Sequence, residues 1–405
     1  MVKRTLRLMI VLTVGAIVLL TLAGCGASEG GPTPAQGASA SSTLAEESAG
    51  ETVALQVQVA QAGEPIGVDL RGAVQSGRLR AQLVDAGGEV VWQEAIDGPN
   101  VMVVNTVVNP PEPGDYELGL AWDGPVTASY SLTWAPGEVE VPRVTAVALI
   151  GGLGMMAVAA GFVIYAGLHR LGWRYLGLGA LAWVVSVVLK FVWAVAFNQT
   201  VYGALQSALP EALADPVFAL YVGALTGVFE VLLLWLVMRY SRLGRMTWGQ
   251  ALAFGIGFGA VEALLLGLQS LANAAFALAT PALVPIGPEA IAQMNNPLLQ
   301  LAPIVERFFA ILLHIFACLL VIYAVRTRQA RWLWLAFVYK TGIDTVAAFA
   351  QIRGLVTYPA IWAIEAVVAV WGIAGWLGIR WLRERWDDTD QEPTTEGPRT
   401  EAGSS

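Results

Sequence analysis

Charge is scarce in this sequence. Asp, Glu, Lys and Arg together make up 13% of the 405 residues, about half the share of an ordinary soluble domain. The apolar fraction is 56%, far more than one soluble core could bury. Histidine occurs only twice, so imidazole chemistry is confined to His169 and His314. The two cysteines, Cys25 and Cys318, sit in segments of very different character, which argues against a stabilising disulfide. The net charge is −8 and the basic residues form short clusters, so no broad surface for nucleic acid is present. No phosphate loop or serine-triad signature stands out. The composition that remains, with fifteen tryptophans, is that of a polytopic membrane protein.

The N-terminus reads as an export signal over residues 1–24. Lys3, Arg4 and Arg7 precede the apolar run LMIVLTVGAIVLL, the order expected of such a leader. Leu22-Ala23-Gly24-Cys25 then resembles a bacterial lipoprotein cleavage box, which implies cleavage before Cys25 and lipidation of its sulfur. Residues 25–50 are small, polar and rich in Pro, Gly and Ser, a composition expected to form a flexible tether. From 51 to 137 the pattern changes to alternation at period two. Val53, Leu55, Val57 and Val59 fall on one face, and Leu79, Ala81 and Leu83 repeat the device. Turn signals at Asp85-Ala86-Gly87-Gly88, Asp97-Gly98-Pro99-Asn100, Pro113-Gly114-Asp115 and Asp123-Gly124-Pro125 divide it into about seven strands, as in a small antiparallel β-sandwich. A spacer or binding module is the reading of that domain.

Residues 143–383 are hydrophobic in long runs. Seven spans are expected, near 144–168, 175–197, 216–238, 248–272, 301–325, 332–352 and 359–380, each about 20 residues or more and so able to cross a bilayer. The fold class is therefore a polytopic α-helical bundle of seven transmembrane helices preceded by a small all-β sandwich. One set of connecting segments carries Arg170, Arg174, Arg239, Arg242, Arg245, Arg326, Arg328, Arg331, Arg380, Arg383 and Arg385, and the other only Arg143 and Arg353. Eleven against two predicts which side is cytoplasmic. It puts the sandwich outside a bacterial cytoplasmic membrane and the C-terminus inside, as an export signal also requires. The acidic residues 384–405 are expected to form a disordered tail.

Nine ionisable groups fall within the spans: Lys190, Glu230, Glu262, Glu306, Arg307, His314, Lys340, Asp344 and Glu365. Such groups are costly in lipid and normally face the bundle interior. Counted at about 1.5 Å per residue, their depths allow one polar seam. Gly255 and Gly259 form a small-xxx-small pair that favours close helix packing over ligand contact.

Four stretches, FALYVGALTGVFEV, AFGIGFGAVEALLLGLQSL, VERFFAILLHIFACLLVIYAVRTR and YKTGIDTVAAFAQI, together resemble the YhfC-type family of membrane peptidases, distant relatives of the CAAX-processing and bacteriocin-processing proteases. The likeness covers roughly residues 170–355 and omits the sandwich and Cys25. It implies a metal-dependent peptidase, with one divalent ion, zinc as the first guess, and a site of Glu230 and Glu262 as catalytic carboxylates and His314 and Asp344 as metal ligands. Glu306, Arg307, Lys340 and Lys190 would form supporting ion pairs. The match is partial. The second glutamate of the family's pair is Val231 here, Phe258 stands where a histidine is usual, and Lys340 replaces the histidine before Asp344.

These departures bear on the chemistry. A hydrolytic zinc site generally takes three protein ligands with imidazole among them, and a two-carboxylate, one-histidine set suits iron at least as well. A protonated Lys340 cannot ligate, and at i,i+4 from Asp344 it is placed for an ion pair. Five carboxylates against three fixed cations leave two negative charges, which either a divalent cation or two retained protons would remove. Two functions therefore stay open. One is an intramembrane metallopeptidase. The other is a non-catalytic pseudopeptidase whose sandwich binds an envelope partner, with the lipid bilayer as surroundings in either case.

Overall fold

A computed structural model describes residues 38–47, 50–137, 143–279 and 288–386. The signal segment, Cys25 and the tail beyond Trp386 lie outside the described residues. Two compact units are present, one holding the sandwich and the other most of the helical bundle.

The sandwich has eight strands: β1 (Ala38–Glu47), β2 (Gly50–Val59), β3 (Ile66–Ser76), β4 (Arg78–Asp85), β5 (Val90–Asp97), β6 (Asn100–Val108), β7 (Gly114–Trp122) and β8 (Val126–Pro136). They form two four-stranded sheets in the orders β1-β8-β3-β6 and β2-β7-β4-β5, with every pair antiparallel. The alternating residues close the core: Val57, Val59, Leu79, Ala81 and Leu83 are all buried, with Leu70, Leu118, Leu120 and Leu132. The turn signals separate the strands as expected. One expectation is corrected. Residues 38–47, read as part of the tether, pair as β1 along β8 from Ala38 opposite Trp134 to Glu47 opposite Val126. Backbone hydrogen bonds recruited this strand, and they depend little on side chains. Ala and Ser carry no apolar alternation, so hydropathy could not reveal it.

Among the described side chains of the sandwich, one acidic group is buried. Asp69 on β3 lies 3.1 Å from Arg71 Nε. Burial raises its carboxyl above the usual 3.8, although the Arg71 guanidinium pulls in the other direction.

Among the described residues, seven helices are long and apolar enough to cross a membrane: α1 (Ala146–Leu168), α2 (Trp173–Ala208), α3 (Ala212–Tyr240), α4 (Trp248–Ala279), α5 (Pro297–Thr327), α6 (Ala330–Ile352) and α7 (Ile361–Arg383). Their starts and ends agree closely with the apolar runs. The largest difference is at α2, which continues eleven residues past Phe197 because Asn198-Gln199-Thr200 ends the apolar run without ending the helix. The most informative span is α6. It is the least apolar of the seven, yet it and α5 are the most deeply buried, so its polar residues face protein and not lipid.

Close backbone approach makes that interior. Gly255 and Gly259 on α4 face α5. A methyl group on Gly259 would stand 3.0 Å from Ile311 Cα and 3.1 Å from His314 Cβ, and one on Gly255 would stand 2.9 Å from Ile315 Cα. The small-residue pair therefore serves packing, as its spacing suggested. Helices α6 and α7 are locked by a reciprocal pair. The Tyr339 hydroxyl donates to Trp371 O at 2.9 Å, and Trp371 Nε1 donates to Tyr339 O at 3.1 Å. Near the start of α3, buried Asp215 accepts from the Tyr202 hydroxyl at 2.9 Å and pairs with Arg353 Nε at 3.1 Å.

Candidate functional site

Helices α2 to α6 converge on a chain of ionic contacts. Its first centre is Glu230, on a π-helical turn covering Gly227–Leu232 in α3. Such a turn widens the helix by one residue and redirects the side chains on it. Lys190 on α2 reaches Glu230 Oε1 at 2.8 Å and also lies 3.3 Å from Thr226 Oγ1. Lys340 on α6 stands 3.2 Å from Glu230 Oε2 and 3.9 Å from Asp344 Oδ2. The side chains of Glu230 and Lys340 are each only 4% exposed.

The second centre is Glu262 on α4. Arg307 donates to its Oε1 at 2.5 Å, while Trp183 Nε1 at 2.9 Å and His314 Nε2 at 2.7 Å both reach Oε2. Arg307 also donates to Glu306. His314 joins the centres, because its other nitrogen, Nδ1, faces Glu230 Oε2 across 3.9 Å. Arg307 and His314, seven residues apart on α5, do point to one side. Eight of the nine ionisable groups therefore form one connected seam. The ninth, Glu365 on α7, is buried within electrostatic reach of Glu306 and Arg307, but its Oε2 has no hydrogen-bond partner.

The pairings differ in detail from those the spacing suggested. Lys340 was expected to pair with Asp344 one turn away, and its nearer partner is Glu230. Helix spacing identifies only neighbours on the same element, and the closer contact comes from a facing helix. Two participants carried no sequence signal. Trp183 looks like any lipid-facing aromatic in an apolar run, and Thr226 is an ordinary small residue until the π-turn brings it under Lys190. Phe258 packs on the imidazole of His314, with ring centroids 5.4 Å apart.

As a metal site this donor set fits poorly. Among the described residues no group of three or more His, Cys, Asp or Glu side chains is placed to hold an ion. His314 and Asp344 both belong to the seam but do not form a trio with a carboxylate. Both oxygens of Glu262 already accept hydrogen bonds from cations or N–H groups, and Glu230 is flanked by two ammonium groups. The arrangement can hold protons and fixed charges.

A multi-pass helical membrane protein with a buried carboxylate–imidazole–ammonium network is the class that fold and site define. The profile of the YhfC intramembrane metalloprotease family matches residues 154–368, more than half of the chain and every residue of the seam. The chain belongs to that family. It is 30% identical over 178 residues to the uncharacterized membrane protein YhfC of Bacillus subtilis (strain 168), a match spanning 40% of this chain and 67% of that one. A solved structure, the VP2 subviral particle of infectious bursal disease virus, shares 15% identity over 25% of this chain and 31% of its own, with a TM-score of 0.16, and bears on neither fold nor function.

Proposed function

We propose that this chain is a YhfC-type membrane protein in which an ionic network stands where relatives would hold a metal, and that it acts by binding and not by peptide hydrolysis. The observation that supports this most is Lys340. Its ammonium lies 3.2 Å from Glu230 Oε2 and 3.9 Å from Asp344 Oδ2, so it takes the carboxylate edge that a dication would need. Two like charges cannot share that edge in a medium of low dielectric. Two of the three substituted motif positions, Phe258 and Lys340, touch the seam directly. Val231, the third, is turned into the apolar core beside Glu230. On this reading Glu230, Glu262, His314 and Asp344 are retained because removing any one would strand a buried partner. The eleven-to-two arginine asymmetry supports a sandwich outside the cytoplasmic membrane, where it would meet an envelope partner, and the Leu-Ala-Gly-Cys box supports lipidation at Cys25.

One observation favours the metallopeptidase instead. His314 Nδ1 and Glu230 Oε2 are buried atoms without a hydrogen-bond partner, and they face one another. The opposite ring nitrogen meets Glu262, the arrangement by which a carboxylate orients a metal-bound histidine. Metal content separates the readings. Protein purified in mild detergent is expected to hold no stoichiometric zinc, iron or manganese, whereas the Phe258→His, Lys340→His double variant should gain zinc. Stoichiometric metal in the wild type, lost in His314→Ala, would replace the binding reading with the enzyme.

A further inference from the structure

At the end of the bundle where α3, α5 and α7 terminate, a cavity of about 660 Å³ opens between them. Five arginines line it: Arg239 and Arg245 around the end of α3, Arg326 and Arg328 at the end of α5, and Arg385 just past α7. Ser241 adds a hydroxyl, and no carboxylate among the described residues lines the wall. We infer that this cavity is a binding site for a phosphate-bearing polyanion, one carrying two or more phosphate groups.

The ordinary explanation is the cytoplasmic arginine surplus of any membrane protein, with cations near helix C-termini complementing the helix dipole. That explanation leaves such side chains free to spread apart. Here five of them line one cavity, and two of the five are held in place. Arg326 donates to Met246 O at 3.0 Å and lies over the Trp386 ring at 5.2 Å. Arg385 donates to Trp381 O at 3.1 Å, lies over the Trp381 ring at 4.3 Å and is 3.3 Å from Glu384. Guanidinium forks fixed against carbonyls and aromatic rings lose less freedom when they close on a ligand. Arg328 adds a further indication. It follows α5 at φ +53°, a left-handed position where glycine is the cheap choice, so its side chain is retained at some cost in backbone strain. Arg170 has φ +51° after α1 but does not line the cavity, which makes it an internal control.

Phosphate is the chemistry these features select. Each phosphate accepts paired N–H donors from a guanidinium, and its multiple charge answers the five cations of one cavity better than a single carboxylate could. A site at the ends of membrane spans stands at headgroup depth, so a lipid phosphate and a soluble phosphate are both sterically able to reach it.

The full-length protein, reconstituted in phosphatidylcholine nanodiscs, is titrated with pyrophosphate by calorimetry. Saturable binding is expected, weakened at least about tenfold in Arg245→Ala, Arg328→Ala and unchanged in Arg170→Ala. Repeating the titration in phosphatidylcholine nanodiscs that contain cardiolipin, whose headgroup carries two phosphates, identifies the source. Loss of pyrophosphate binding there assigns the site to lipid headgroups, and its persistence assigns it to a soluble phosphate. The inference is overturned if wild type and double variant bind alike, or if the wild type binds neither anion. Binding that appears only after truncation beyond Trp386 would also overturn it, since the acidic residues that follow would then be the occupant.

Discussion

Replacing Lys340 with methionine removes one ammonium and little volume. In the folded protein that ammonium lies 3.2 Å from Glu230 Oε2. At an effective dielectric of about 20, one such contact amounts to about 5 kcal/mol of attraction. Part of this is recovered, because the buried lysine no longer pays its own desolvation and Lys190 still holds Glu230 Oε1 at 2.8 Å. What remains is a carboxylate oxygen with no hydrogen-bond partner, now facing only an imidazole. Breaking one side of a buried ion pair typically costs about 3–5 kcal/mol, and the lower end is expected here because of Lys190. Unfolding by SDS titration, followed by tryptophan fluorescence in mixed micelles, measures the loss. The decisive comparison is the double variant Lys340→Met, Glu230→Gln. Glu230→Gln also leaves the Lys190 ammonium without its carboxylate, so the double variant should lose clearly less than the two single variants added together, a coupling well above measurement error. Equal stability of Lys340→Met and wild type, or losses in Lys340→Met and Glu230→Gln that simply add in the double variant, would refute the idea that these two groups neutralise each other.

Other expectations follow from individual contacts. Gly257→Ala on α4 should destabilise the bundle by more than about 1 kcal/mol in the same assay, despite alanine's better helix propensity, because its methyl would run into the Leu176 carbonyl oxygen. Gly203→Ala, with open space around it, should be neutral or stabilising. Trp183→Phe removes one N–H from Glu262 and leaves Arg307 and His314 in place, so a loss of about 1 kcal/mol is expected. Asp69 has a pH signature. Its folded pKa lies above the unfolded value of 3.8, so the native state holds the proton more tightly. This contribution is therefore greatest below about pH 4 and is lost as pH rises through the raised folded value. Hydrogen exchange across the sandwich strands of the full-length protein should show that decline in wild type and a flatter profile in Asp69→Asn.

The positions of the seven helices were legible because hydrophobic length is a property of single segments. Their ends were legible to within about four residues, except where polar residues extend α2 and where α4 continues seven residues past the expected 272. The membership of the seam was also legible, since each ionisable group in an apolar span needs a partner. The pairing was not. Lys340 next to Asp344 in sequence says nothing of Glu230, which a π-turn on another helix brings nearer. Nor could spacing reveal that Trp183, an indole among aliphatic residues, donates to Glu262. In the sandwich, the strands with apolar alternation were visible and β1 was not, because its contribution is made by backbone groups that every residue carries.

Charge balance ties these observations together. The connected seam contains four carboxylates, Glu230, Glu262, Glu306 and Asp344, against the fixed cations Lys190, Arg307 and Lys340. His314 stands between the two central glutamates, with one ring nitrogen toward each. The fifth carboxylate, Glu365, lies outside the connected contacts, with Oε2 unpartnered. Four carboxylates against three fixed cations leave one surplus negative charge in the connected seam, fewer than the two counted from composition alone. A dication added to this seam would have to displace an ammonium or expel protons against the neighbouring arginine and lysines. That opposition would be relieved first at Lys340, where an imidazole in place of the ammonium removes a repelling charge and adds a ligand.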